Sequence, residues 1–110
     1  MNEKEVIVLN DDEIVQLYFE RSEESIAQSE EKYGRLCRSV IRRILPDERD
    51  AEECLSDVWI HTWNSIPPER PRVLSAFLAR IARNLALDRL SYNHAEKRAS
   101  ALTEAFEELE

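Results

Sequence analysis

Glycine and proline are nearly absent from the long stretches of this chain, and that scarcity decides the fold class. Gly34 is the single glycine, and the four prolines fall at positions 46, 67, 68 and 71. Hairpins and sheets need turn residues at short intervals, so a chain punctuated this sparsely is built from helices. Within each unbroken stretch the apolar residues repeat at helical spacing. The expectation is an all-α fold, a compact bundle of about four helices with short connections. A chain of 110 residues suffices for one domain with one modest core.

The boundaries follow from the same punctuation. Asp11 or Asp12 is expected to cap a first helix through about Arg21, with Ile14, Leu17 and Tyr18 on one side. A second helix runs from Glu23 or Glu24 to Leu45, carrying Ile26, Tyr33, Leu36, Cys37, Val40, Ile41, Ile44 and Leu45 as its apolar positions. Gly34 inside it costs about 1 kcal/mol against alanine and is expected to permit close helix packing. Pro46 ends this helix, Asp47 or Glu48 opens the third, and Pro67-Pro68 ends that one. The fourth begins near Arg72 and continues to about Asn93 or beyond, burying Leu74, Phe77, Leu78, Ile81, Leu85 and Tyr92. Residues 1–10 are expected to be loose, although Val6–Leu9 could dock on the body. The domain proper is read as 11–98, with 99–110 the start of an acidic linker.

Net charge is −8, which by itself argues against nucleic-acid binding. The distribution argues differently. Residues 1–32 carry −7, 44–71 carry −5 and 99–110 carry −4, whereas 33–43 and 72–98 each carry +4. Charge blocks of this kind also fit several solvated helix faces.

Two helices carry a second pattern beside their core stripe. On the third, Ala51, Leu55, Val58, Thr62 and Ile66 form the core side, flanked by Cys54, Trp59 and Trp63. Opposite them lie Glu53, Ser56, Asp57, Ile60 and Asn64. This is either a solvated face with one stray isoleucine or a docking face with Ile60 as its apolar anchor. On the fourth helix Arg80, Arg83, Asn84, Leu87 and Ser91 project away from the core stripe. Arginines one turn apart suit phosphates or unstacked bases, and asparagine can read a base edge. A solvated arginine face paired with the surplus acids fits equally well. Asp88, at the edge of the stripe, is expected to be tied to an internal arginine.

Enzymatic and metal chemistry find no support. Cys54 and His61 share a helix side but stand two turns apart, about 10 Å of rise, too far for one metal. One glycine cannot build a phosphate-cradling loop. No convergent nucleophile, base or cofactor motif is present, so no cofactor is expected. The N-terminus lacks a basic start and long apolar run, and no stretch is long enough to span a bilayer. The reading is a cytoplasmic protein with no membrane contact, whose Cys37 and Cys54 stay reduced.

The run DAEECLSDVWIHTW, a loop, and then FLARIARNLALDRL resembles the second conserved region of bacterial RNA polymerase sigma factors, most closely the small extracytoplasmic-function type. The resemblance covers roughly Ile26–Arg98. It implies a helical domain whose third helix docks on the coiled coil of the largest-subunit clamp of the polymerase core. It implies that the loop and fourth helix capture the melted non-template strand of the promoter −10 element as single-stranded DNA, with one base flipped into a pocket. Carried over by position, Glu53, Ser56, Asp57 and Ile60 face the clamp. The loop Ser65–Arg72, with Arg72 at its end, and Arg80, Arg83 and Asn84 face DNA. An anti-sigma factor is a further candidate partner. Ser56 stands where the family often has glutamine, and Ala79 where it often has an aromatic residue. The closing basic run is thin, with Lys97 and Arg98 alone. A −35-reading domain has no counterpart within these 110 residues, and Ala99–Glu110 looks like the linker towards one. The competing reading is a sigma-like helical interaction module that never touches DNA. In that case the arginines of the fourth helix would pair with acids of the N-terminal segment; in the first they would share a groove with the loop.

Overall fold

The structure, a computed structural model, describes residues 8–109. Four helices appear in chain order: α1 (Asp11–Phe19), α2 (Glu24–Ile44), α3 (Glu48–Ser65) and α4 (Leu74–Glu108). No strand occurs among the described residues. Helices α2, α3 and α4 pack on one another, and α1 packs on α2. The all-α expectation and the four helices are therefore as read from the sequence.

The shared core holds Ile14, Tyr18, Ile41, Leu45, Val58, Ile66, Leu74 and Leu78, all fully or almost fully buried. Each such side chain contributes about 1.5–3 kcal/mol by leaving water. The polar groups taken inside are satisfied locally. The Tyr18 hydroxyl lies 2.7 Å from Ser29 Oγ, which donates to the Ser25 carbonyl, and Thr62 donates to the Val58 carbonyl. Across the α1–α2 contact, Asp11 accepts from Lys32 Nζ and from the Tyr33 hydroxyl at 2.8 Å each. Burial alone would raise the Asp11 carboxyl, but these two hydrogen bonds and the lysine charge outweigh it and hold it below its ordinary value.

Several boundaries differ from expectation, each for a local reason. The cap of α1 is Asn10, not Asp11 or Asp12. Its side chain accepts from the Glu13 amide while Glu13 reaches back to the Asn10 amide, a reciprocal capping box. The helix stops at Phe19 rather than Arg21 because Arg21 adopts a left-handed backbone, φ 58°. The Arg21 amide bonds to the Tyr18 carbonyl and the Ser22 amide to the Leu17 carbonyl. That is the Schellman ending, with arginine where glycine is usual. Helix α3 starts as expected, with Asp47 accepting from the Asp50 amide.

Other corrections concern faces. A Cβ built on Gly34 would meet nothing within 4 Å, so that glycine does not serve close packing in this chain. Leu36 is exposed. Tyr92, assigned to the buried stripe, is 58% exposed, because at its level α4 turns Arg89 and Asn93 towards Asp50 of α3 instead. Helix α4 begins at Leu74 and runs unbroken to Glu108, so Ala99–Glu108 continue the helix. The overhang gives a long axis of 71 Å and a radius of gyration of 18.4 Å, against about 13 Å for a compact 100-residue domain. Asp88 is exposed and makes no ion pair among the described residues; the carboxylate held by an internal arginine is Asp50. Leu9 packs against the core and Val8 is exposed, while residues 1–7 of the expected loose N-terminus lie outside the described residues.

Arg21 joins the elements that this turn connects. Its Nη1 donates to the Trp63 carbonyl at 3.0 Å and the Ile66 carbonyl at 2.7 Å, and its guanidinium lies 3.6 Å from the Trp63 ring centroid. Arg21→Ala is expected to destabilise the domain by about 2–3 kcal/mol, from lost charge-assisted hydrogen bonds at a position where alanine strains the backbone. Arg21→Gly should be milder by about 1 kcal/mol, because glycine accepts the left-handed conformation. Urea unfolding of both variants checks this, and an equal loss in the two would remove the backbone part of the argument.

Candidate functional site

Between α3 and α4 the chain makes a proline-containing loop, residues 66–73, with cis bonds before Pro67 and Pro68. The loop is fastened at both ends to α1 and the turn after it. Arg21 holds Ile66 at its start, and near its far end the Arg70 guanidinium stacks 4.1 Å from the Phe19 ring centroid. Between the loop and the first turns of α4 lies an open groove of about 490 Å³. Residues 69–73, with Ala76, Phe77 and Arg80 of α4, line it. Its lining thus holds three arginines and one glutamate among apolar side chains.

Of the residues expected to face DNA, Arg72 and Arg80 meet in this groove. Arg83 and Asn84 are exposed one turn further along α4 and do not line it. Arg72, Arg80 and Arg83 make no ion pair among the described residues. Pairing with acids of the N-terminal segment, the arrangement expected of a pure interaction module, does not occur there. Several groove residues escaped the sequence reading, Val73 and Ala76 among them. Phe77 was assigned to the core stripe but sits at its edge, half-buried, and Arg70 was one unremarked member of the loop. The signal for Phe77 was present: it is the aromatic nearest the start of α4, one turn before Arg80.

The second surface is the outer side of α3. Glu53, Ser56, Asp57 and Ile60 are all exposed, Ile60 by 60%, while Ala51, Cys54, Val58, Trp59 and Thr62 turn inward. Glu53 is not wholly free, because Arg89 Nη1 lies 3.3 Å from its carboxylate. Arg89 is shared with Asp50 at 2.6 Å, and Asn93 donates to the same aspartate at 2.8 Å. This clasp joins the first turn of α3 to α4. Asp57 stands beside it and makes no ion pair among the described residues. On the opposite flank Arg38 pairs with Glu52 and Arg42 with Glu48, which ties α2 to α3.

Among the described residues no group of three or more histidine, cysteine, aspartate or glutamate side chains gathers as a metal would require. No helix there is long and apolar enough to cross a membrane.

The sigma-70 region 2 pattern matches residues 31–96, from the middle of α2 to the point where α4 leaves the body. The chain belongs to the sigma-70 region 2 family. Its role is that of a non-catalytic sigma factor domain in transcription initiation, with RNA polymerase core and promoter DNA as its partners. No curated protein and no solved structure matches the chain.

Cys37 and Cys54 are free and buried beside the core stripes. Burial pushes both thiols up to about 11, and for Cys54 the Asp57 charge adds to the rise while Arg89 opposes it. A pKa raised on folding stabilises the native state below the ordinary thiol value of 9.0 and ceases to do so as pH climbs through about 11. Stability should therefore decline across that window. At neutral pH both thiols should react with an aromatic disulfide reagent at least about tenfold slower in the native protein than in denaturant, since the thiolate is the reactive form. Equal rates in the two conditions would contradict the burial.

Proposed function

We propose that this domain belongs to a sigma factor of the extracytoplasmic-function type and bridges polymerase to melted promoter DNA through two separate surfaces. Glu53, Ser56, Asp57 and Ile60 dock on the clamp coiled coil. The groove of loop 66–73 and the start of α4 receives a flipped base of the non-template −10 strand, while Arg80, Arg83 and Asn84 follow the backbone and a neighbouring base edge. The observation that carries this reading is the groove itself, lined by Arg70, Arg72 and Arg80 together with Phe77. Phe77 offers a stacking surface inside the groove. Stacking contributes roughly 1–3 kcal/mol per base in single-strand binders.

The same reading sets limits on affinity. A chain of net charge −8 has little attraction for duplex phosphates, since counterion release dominates non-specific binding. The isolated domain binds single strands weakly and with strong salt dependence, and holds promoter DNA firmly only within holoenzyme. The proposed place of action is the cytoplasm, and an anti-sigma factor would act by covering either surface.

Two experiments test the two surfaces separately. Asp57→Arg should lower binding to the isolated clamp coiled coil by more than about tenfold, with less than about 0.5 kcal/mol change in stability, because the residue is exposed. Undiminished binding in a pull-down removes Asp57 from the interface. In promoter opening by reconstituted holoenzyme, Arg83→Ala should weaken all sequences alike, whereas Asn84→Ala should relax preference at one position by about 1–3 kcal/mol. Normal opening and normal preference in both variants would put the interaction-module reading ahead.

A further inference from the structure

A second hollow, of about 450 Å³, opens between the first turns of α2 and the end of α3. Glu23, Ile26, Ala27, Glu30 and Trp63 line it. The steps of three, one and three between the first four place them on one side of α2 and its cap. Ile26 and Trp63 are half-buried and packed on the core, so the apolar floor is fixed. Glu23 and Glu30 stand exposed at its two ends, about 10 Å apart along the helix axis. Neither makes an ion pair among the described residues. Arg21 lies on the Trp63 ring, but its donors go to the Trp63 and Ile66 carbonyls and not to these acids. Of the acids from Asp11 to Glu31, Asp11 alone has an ion pair among the described residues, with Lys32.

We propose that this hollow is a docking groove for a basic amphipathic helix of another protein, with lysine or arginine at two positions seven residues apart and an aliphatic residue between them. Charge and spacing select the occupant. The two glutamates are two turns apart, so a helix laid along α2 meets both with residues seven apart. A residue three or four positions after the first then enters the middle of the hollow, against Ile26, Ala27 and Trp63. Lysine and arginine lay their methylene stems on such an apolar floor and keep the charged head at its rim, where the carboxylates stand. The Trp63 indole adds attraction for a cation. A second copy of this chain, itself of net charge −8, is repelled at a distance, and so is a nucleic acid. Four of the five lining residues precede residue 31, where the sigma-70 region 2 match begins. None of Glu53, Ser56, Asp57 and Ile60 lines the hollow, so this surface does not depend on the promoter reading.

The probe is a tryptophan-free, alanine-rich helical peptide of about 18 residues, long enough to hold helix in water, with two lysines seven apart and a leucine four after the first. It is titrated into the 110-residue chain. The chain has two tryptophans, so Trp59→Phe leaves Trp63, in the hollow, as the single reporter. A saturable change in Trp63 emission is expected, weakened by salt. A peptide of the same composition with its lysines adjacent should bind at least about tenfold more weakly, and so should the original peptide to a Glu23→Gln, Glu30→Gln chain. That double variant should melt no lower than its parent, because both residues are exposed. No saturable response up to about millimolar peptide overturns the proposal. Equal binding of the two peptides, or undiminished binding by the double variant, also overturns it. Self-association of the parent chain in sedimentation velocity, abolished in the double variant, would make a second copy the occupant and overturn it too.

Discussion

Arg21 does three things at once, and the groove depends on all of them. Its left-handed backbone ends α1 and turns the chain into α2. Its side chain supplies donors to the Trp63 and Ile66 carbonyls at the end of α3, acceptors that the helix itself leaves without partners. Those bonds also fix the residue from which the loop departs. The loop's other end is held by Arg70 against Phe19. So the surface that meets α4 at the groove is positioned by the first helix and its turn, although residues 11–21 lie outside the span that matches the sigma-70 region 2 pattern. A domain cut to the matched span would keep Arg72 and Arg80 and lose what holds the loop beside them.

Ion pairing takes up part of each basic block: among the described residues Arg35 and Arg43 of the first, like Arg72 and Arg80 of the second, make no ion pair. In sequence, 33–43 and 72–98 look equivalent at +4 each. In the fold, Arg38 and Arg42 of the first block pair with Glu52 and Glu48 of α3. In the second, Arg89 is taken up by Asp50 and Glu53, while Arg72 and Arg80 line the groove and make no ion pair among the described residues. The Asp50–Arg89–Asn93 clasp illustrates the alternative use of an arginine. Half-buried and hydrogen-bonded, such a pair gives weak net stabilisation but a defined geometry. Here it sets where α4 leaves the bundle.

Helix number, the position of α2 and α3, and the exposure of Glu53, Ser56, Asp57 and Ile60 were legible because proline placement and helical periodicity carry them directly. What was not legible depends on contacts between distant segments. Nothing local marks Arg21 as left-handed; glycine usually announces that conformation, and here the bonds to α3 make an arginine adopt it. Asp50 and Asp88 look alike in sequence, and only the packing of α3 on α4 shows that Asp50 has the arginine. Tyr92 continues the stripe perfectly well, yet it is Arg89 and Asn93, on another side of α4, that meet Asp50 of α3 at its level. Phe77 lies at the boundary of that stripe, where a small rotation of the helix separates core from groove. The clamp-facing and DNA-facing roles themselves came from the family resemblance and not from spacing.

The coexistence of an acidic outer side of α3 and an arginine-lined groove on one small, negative domain is a matter of screening length. Along α3, Asp57 and Ile66 are separated by about 13 Å of helix rise. At physiological ionic strength the Debye length is about 8 Å. Exposed charges on the two surfaces therefore act nearly independently, and the net charge of −8 describes neither. It governs the encounter at long range instead, where the acidic excess disfavours bare duplex. Under the proposed function a polyanion would have to be brought close by other contacts, and acids on the outer side of α3 do not weaken the groove at this separation. The separation of the two surfaces along one helix allows each to be strong.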